Sequence, residues 1–132
     1  MIGIDTNVLL RYILRDDIAQ AKKADQMIDG SIARGVDIFI NRVVLCETAW
    51  VLHQSYRLSK PEIIAIIKNL LEAQGFIIDA EEEALEALEN YRLHNLNFSD
   101  AFIAADNRRA GAAHTATFDK KAARLAHFKL VG

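Results

Sequence analysis

What most limits the folds open to this chain is a series of short apolar runs, each closed by a polar residue and followed by a helix-length segment. The first is Met1-Ile2-Gly3-Ile4, closed by Asp5-Thr6-Asn7 and followed at once by Val8-Leu9-Leu10. A run this short and apolar on both faces reads as a buried strand of a parallel sheet. Asp37-Ile38-Phe39-Ile40, Phe76-Ile77-Ile78 and Phe128 to Val131 repeat the pattern, and His114-Thr115-Ala116 repeats it weakly. Asp5 then falls at a strand's carboxyl end, the edge where open α/β sheets bind ligands.

Helical segments fill the intervals. Thr6 to about Leu14 places Val8, Leu9, Tyr12 and Ile13 at helical spacing. Asp16 or Asp17 can cap a second helix to about Arg34, stopped by Gly35, and Asn41 a third from Arg42 to about Ser55. Ser59-Lys60-Pro61-Glu62 has capping-box spacing and opens a fourth, to Ala73. Glu81-Glu82-Glu83 opens a fifth, to about His94, with its charges favoured by the helix dipole. Ser99 is expected to cap a sixth, Asp100 to Ala110, and Asp119 to open a short one through Leu125. Strands alternating with single helices or helix pairs indicate an α/β fold with helices on both faces of a five-stranded parallel sheet, three layers in all.

At 132 residues the chain is expected to be one domain, 1–132, and its 52% apolar content suffices for one core. Cys46 is the single cysteine, so no internal disulfide forms, and a reducing cytoplasmic compartment is expected. Charges at Asp5, Arg11, Arg15, Asp16 and Asp17 interrupt any signal-type apolar segment. No apolar run approaches the roughly 20 residues that span a bilayer, so no membrane partner is expected. A net charge of −2 disfavours a general nucleic-acid binder, although Arg42, Arg108, Arg109, Lys120, Lys121 and Arg124 fall near the acids considered next and can form a local basic rim.

Four acids stand out. Glu47 lies among Val43, Val44, Trp50 and Val51 at three- and four-residue offsets, which reads as an inward-facing glutamate. Such a group is costly unless paired or bound to a metal. Asp100 falls in a helix's first turn, and Asp119 follows Thr117-Phe118 just past the fourth strand. Each has a plain alternative. Asp5 and Asp119 can simply cap helices, Asp100 can be an ordinary first-turn acid, and Glu47 can be salt-bridged. If the first strand is central with the fourth beside it, all four reach one edge. Four carboxylates in one crevice call for a divalent cation, and oxygen ligands suit Mg²⁺ or Mn²⁺. Such a centre fits phosphodiester hydrolysis. Thr6, Asn7, Ser99 and Thr117 adjoin the acids and can serve as a supporting shell.

Taken together, Ile4-Asp5-Thr6-Asn7-Val8-Leu9, the helical Glu47, Asp100-Ala101 after Ser99, and Thr117-Phe118-Asp119 resemble a PIN domain. More narrowly they resemble a VapC-type toxin, the ribonuclease half of a bacterial toxin–antitoxin pair. The resemblance covers the whole chain in order. It implies strand order 3-2-1-4-5, a metal site of Asp5, Glu47, Asp100 and Asp119 supported by Thr6 or Asn7 and by Thr117, a homodimer, an RNA substrate such as tRNA or another structured RNA, and inhibition by a cognate antitoxin.

Three competitors are weighed against a metal-dependent endoribonuclease. A receiver-like signalling domain wants an acidic pair after the first strand and a lysine after the last. Thr6 follows Asp5, and no lysine follows Val131. A phosphatase with an aspartyl nucleophile wants a second aspartate at position 7, which is Asn7. A non-catalytic binding domain of similar fold would tolerate neutralisation of Asp5.

Overall fold

The computed structural model describes residues 1–132, which divide into two compact units, 1–80 and 81–132. The first holds β1 (Ile2–Gly3), α1 (Thr6–Leu14), α2 (Ile18–Ala33), β2 (Ile38–Ile40), α3 (Arg42–Gln54), α4 (Lys60–Glu72) and β3 (Phe76–Ile78). The second holds α5 (Glu81–Leu93), α6 (Phe98–Arg109), β4 (Thr115–Thr117), a single 3-10 turn at Ala122–Arg124, and β5 (Phe128–Leu130). Every strand pairing is parallel, so the alternation of strand and helix read from the sequence is met by an α/β fold with six α-helices.

In residues 1–80, β2 is the middle strand, with β1 and β3 on its flanks. Ile38 pairs with Ile2 on one side and Phe76 on the other. The two inward residues of β2, Ile38 and Ile40, are wholly buried with Leu9, Ile28, Leu45, Leu52, Ile63 and Ile67. Each such side chain contributes roughly 1.5–3 kcal/mol by leaving water. The first strand is shorter than its apolar run: Ile2 and Gly3 form the ladder, and Ile4 adds one bond, its N–H donating to the Phe39 carbonyl at 3.3 Å. Within this three-stranded sheet β1 is an edge, and Ile2 is 39% exposed where a buried residue was expected.

Hydrogen-bonded pairing forms two sheets, β1-β2-β3 within residues 1–80 and β4-β5 within residues 81–132, which match the 3-2-1 and 4-5 parts of the expected order. Strand β4 covers Thr115–Thr117, one residue later than expected.

Helix ends follow local chemistry. Asp17, Asn41 and Ser59 each accept a hydrogen bond from the backbone N–H three residues on, and Ser59 with Glu62 completes the capping box. One cap differs from expectation. Asn97 caps α6, accepting from the Asp100 N–H at 2.7 Å, so the helix begins at Phe98 and Ser99 lies inside its first turn. The earlier start lets Phe98 pack against Tyr91 and Phe102, at ring separations of 6.2 and 6.0 Å. Helices α5 and α6 meet through small residues, Ala84 and Ala87 on one and Ala101 and Ala105 on the other, all buried.

Gly75 joins α4 to β3 at φ +90°, and a Cβ there would stand 2.7 to 2.9 Å from three side-chain atoms of Ile32. Both the left-handed backbone and the close approach require glycine. Gly75→Ala is therefore expected to cost about 2 kcal/mol by chemical denaturation. Gly3→Ala, whose Cβ meets nothing within 4 Å, should change stability by less than about half of that.

Candidate metal-binding acids

Parallel pairing brings the ends of β1, β2 and β3 to one edge, and helices start there. Asp5 follows β1 and caps α1, its Oδ1 accepting from the Val8 N–H at 3.0 Å. Asn41 follows β2 and caps α3, which carries Glu47 in its second turn. Asp79 follows β3 and binds the Arg42 guanidinium at 3.0 Å, fixing the first residue of α3. That arginine holds the Asp79 carboxyl below its usual range. Thr6 then closes the edge, its hydroxyl donating to Glu47 Oε1. Glu47 is thus tied to the Asp5-Thr6 pair, 41 residues before it at Thr6, by backbone register and one side-chain bond.

Glu47 is not on the inward stripe of α3. It is exposed, and so are Val43 at 64% and Trp50 at 48%, while Val44, Leu45, Thr48, Ala49 and Leu52 face the core. Of the apolar neighbours that suggested burial, Val43 and Trp50 are exposed and only Val44 is buried, a distinction invisible where both faces of a helix are apolar.

The second unit holds the other two acids. Asp100 is half-buried in the first turn of α6, and its carboxyl is raised above its usual range by burial and by the charge of Asp119. The Asp119 backbone N–H donates to Thr117 Oγ1 at 3.0 Å, and its Oδ1 accepts from the N–H groups of Lys121 at 2.9 Å and Ala122 at 3.3 Å. Asn107 Nδ2 donates to Thr115 Oγ1 at 3.0 Å and holds α6 to the strand that leads to this turn. Asn7 and Ser99 make no side-chain hydrogen bond.

The plain and the functional readings therefore coexist. Asp5 does cap α1, and Asp119 closes a side-chain turn ahead of the 3-10 turn in place of a helix cap, but each uses Oδ1 and leaves Oδ2 uncommitted. Glu47 leaves Oε2 uncommitted, and Asp100 accepts no hydrogen bond. Asp25 and Glu89 contrast with them, each having both carboxylate oxygens taken by an arginine. The donor set of the four acids and Thr6 is oxygen throughout, which fits a hard cation such as Mg²⁺ or Mn²⁺. Within neither unit do three or more acids, histidines or cysteines gather at metal-holding distance.

Of the six basic residues expected near the acids, three are engaged. Arg42 pairs with Asp79, Arg108 with Glu86, and Arg109 with Glu82 and Glu83. Lys120, Lys121 and Arg124 are exposed. One feature escaped the sequence reading: Asp5 and Asn7 open onto a groove of about 330 Å³ between α1 and α2, lined also by Val8, Arg11, Gln20, Lys23, Ala24 and Met27. Its signal was the helical spacing of positions 20, 24 and 27, which reads equally as ordinary amphipathic packing.

These features define an α/β domain with cation-competent acids at its strand and helix ends. The family model for the PIN domain matches residues 2–128, and the chain belongs to the PIN-domain family. It thus has a nuclease-type fold, in a family whose nucleases typically use divalent metals. A search of curated proteins finds no match. No helix is long and apolar enough to cross a membrane.

Asp100 gives a pH-dependent test. Its carboxyl is raised in the folded state, so the fold holds that proton more tightly than the unfolded chain does. The ionised group costs nothing below the unfolded value of about 3.9, and its full cost is present at neutral pH. In chelator at pH 7, Asp100→Asn should therefore raise Tm by a few degrees, and the difference should vanish near pH 3. A lower Tm than the parent at pH 7 would show that Asp100 is held by a favourable partner instead.

Proposed function

We propose that the chain is a Mg²⁺- or Mn²⁺-dependent endoribonuclease and the toxin of a toxin–antitoxin pair. Asp5, Glu47, Asp100 and Asp119 hold the metal, and both units act together as one catalytic domain. The observation that carries this reading is the uncommitted carboxylate oxygen kept by each of the four acids, within a span that matches the PIN domain from end to end. A bound cation supplies Lewis acidity at the phosphoryl group and a lowered pKa for the attacking water.

The chain's own side chains supply orientation. Thr6 fixes the Glu47 carboxylate through its hydroxyl, and Thr117 and the backbone of the following turn fix Asp119. Asn7 is the uncommitted amide beside Asp5. RNA is the substrate, a cognate antitoxin protein is the inhibitor, and the active form is a homodimer working in the cytoplasm.

Purified protein is expected to cleave structured RNA with Mg²⁺ or Mn²⁺ and to stop in chelator. Asp5→Asn should lower the rate by at least roughly 100-fold, beyond the 10- to 100-fold typical of outer-shell residues. Equal cleavage by parent and variant would sink the assignment. A protein that binds RNA but cuts none with either metal would be the non-catalytic binding domain.

A further inference from the structure

We propose that the groove between α1 and α2 holds the nucleotide adjoining the cleaved phosphate of a single-stranded RNA segment, with Lys23 on that nucleotide's phosphate. This rests on the reading of Asp5 as a metal-holding acid. Asp5 and Asn7 form one end of the groove, and Val8, Ala24 and Met27 are its apolar members. Its volume of about 330 Å³ lies at the small end of ligand sites. From Asp5 to Arg11 the helix advances about 9 Å, room for roughly one nucleotide beyond a phosphate held at Asp5.

Charge identifies the occupant. Arg11 is committed: its Nε donates to Gln20 Oε1 at 2.7 Å, and its Nη1 lies 3.5 Å from both Asp16 Oδ1 and the Tyr56 hydroxyl. Lys23 is exposed with no hydrogen bond or ion pair, so it is the cation free to meet an incoming anion. Asn7 is equally uncommitted and offers both a donor and an acceptor to a base edge. Met27 is half-buried, and its flexible thioether suits the face of a base or sugar. An apolar floor, a free ammonium and a free amide, beginning at an acid that binds metal, match a flat group carrying a phosphate. An apolar helix of a protein partner would meet Lys23 and Arg11 interrupting the face it needs. Unstacked single strands present the base faces and edges that such a groove can hold.

The test compares Lys23→Glu with Lys22→Glu, an exposed neighbour outside the groove that makes the same charge change. Binding of a labelled single-stranded oligoribonucleotide is followed by anisotropy with Mg²⁺, on an Asp100→Asn background that prevents turnover. Lys23→Glu should weaken binding roughly 5- to 10-fold, and Lys23→Gln should lower the salt slope by about 1. Lys22→Glu should weaken it less than about 2-fold. Circular dichroism melts check that each variant folds. Equal losses at both positions, or no binding by the parent, would overturn the proposal. Undiminished binding by Lys23→Glu would also overturn it and leave the groove to a protein partner. Cleavage by wild-type protein is read separately. If cleavage is absent while Lys23-dependent binding persists, the nuclease reading fails and the nucleotide site stands. Cleavage with Lys23-independent binding gives the reverse.

Discussion

Strand β2 lies between two parallel neighbours with Ile38 and Ile40 wholly buried, so its backbone groups must find partners in the ladder. The Asp37 and Phe39 carbonyls accept from Ile2 and Ile4, the Ile38 N–H donates to Gly75, and the Ile40 carbonyl accepts from Asp79. Parallel pairing makes all three strands finish at one edge, where Asp5, Asn41 and Asp79 follow them in turn. Each of these residues then sets a helix: Asp5 caps α1, Asn41 caps α3, and Asp79 grips Arg42 at the start of α3. The Thr6 bond to Glu47 depends on all of them, because it joins the first residue of α1 to the second turn of α3. A slip of one residue in β1 against β2 would turn every side chain of β1 to the other face and remove that bond.

A backbone-bound carboxylate at Asp5 or Asp119 is compatible with cation binding because a carboxylate has two oxygens. A backbone N–H at the first turn orients one and fixes the side-chain torsions, leaving the second pointed elsewhere at no further cost in side-chain entropy. The backbone bond is thus no rival to a chemical role for the same side chain. Glu47 obtains the same result from Thr6, through a hydroxyl in place of backbone amides.

Several parts of this arrangement were legible in the sequence. The period of the apolar runs gave the α/β class, and the caps at Asp17, Asn41 and Ser59 stood at the expected positions because side-chain caps are local. The cap of α6 was misplaced from Asn97 to Ser99, since both residue types cap well and the choice fell to the packing of Phe98 against Tyr91. The exposure of Glu47 was hidden by Val43 and Trp50, apolar residues on an outward face. The ladders β3-β2-β1 and β4-β5 follow the order that the resemblance implied, whereas runs of three apolar residues state only that a strand exists and not which strand it pairs with. The α1–α2 groove was illegible for a different reason: Lys23 is distinguished only by the partner it lacks, and a missing partner has no sequence signature.

Arginines occupy several of the chain's acids and leave the four candidate acids unpaired. Asp25, Asp79, Glu82, Glu83, Glu86 and Glu89 each meet a guanidinium. Asp5, Glu47, Asp100 and Asp119 meet none, and around Asp100 the chain tolerates both burial and a like charge. Helix α6 shows how this is arranged. Its cations, Arg108 and Arg109, stand in the last turn, where the helix dipole favours them. There they bind the acids of the antiparallel α5, Glu82, Glu83 and Glu86. Asp100 sits in the first turn, about 12 Å away along the axis. The same dipole that places each charge at its favoured end keeps the arginines beyond reach of Asp100. Its carboxylate is therefore left without a protein cation by the helix that carries it.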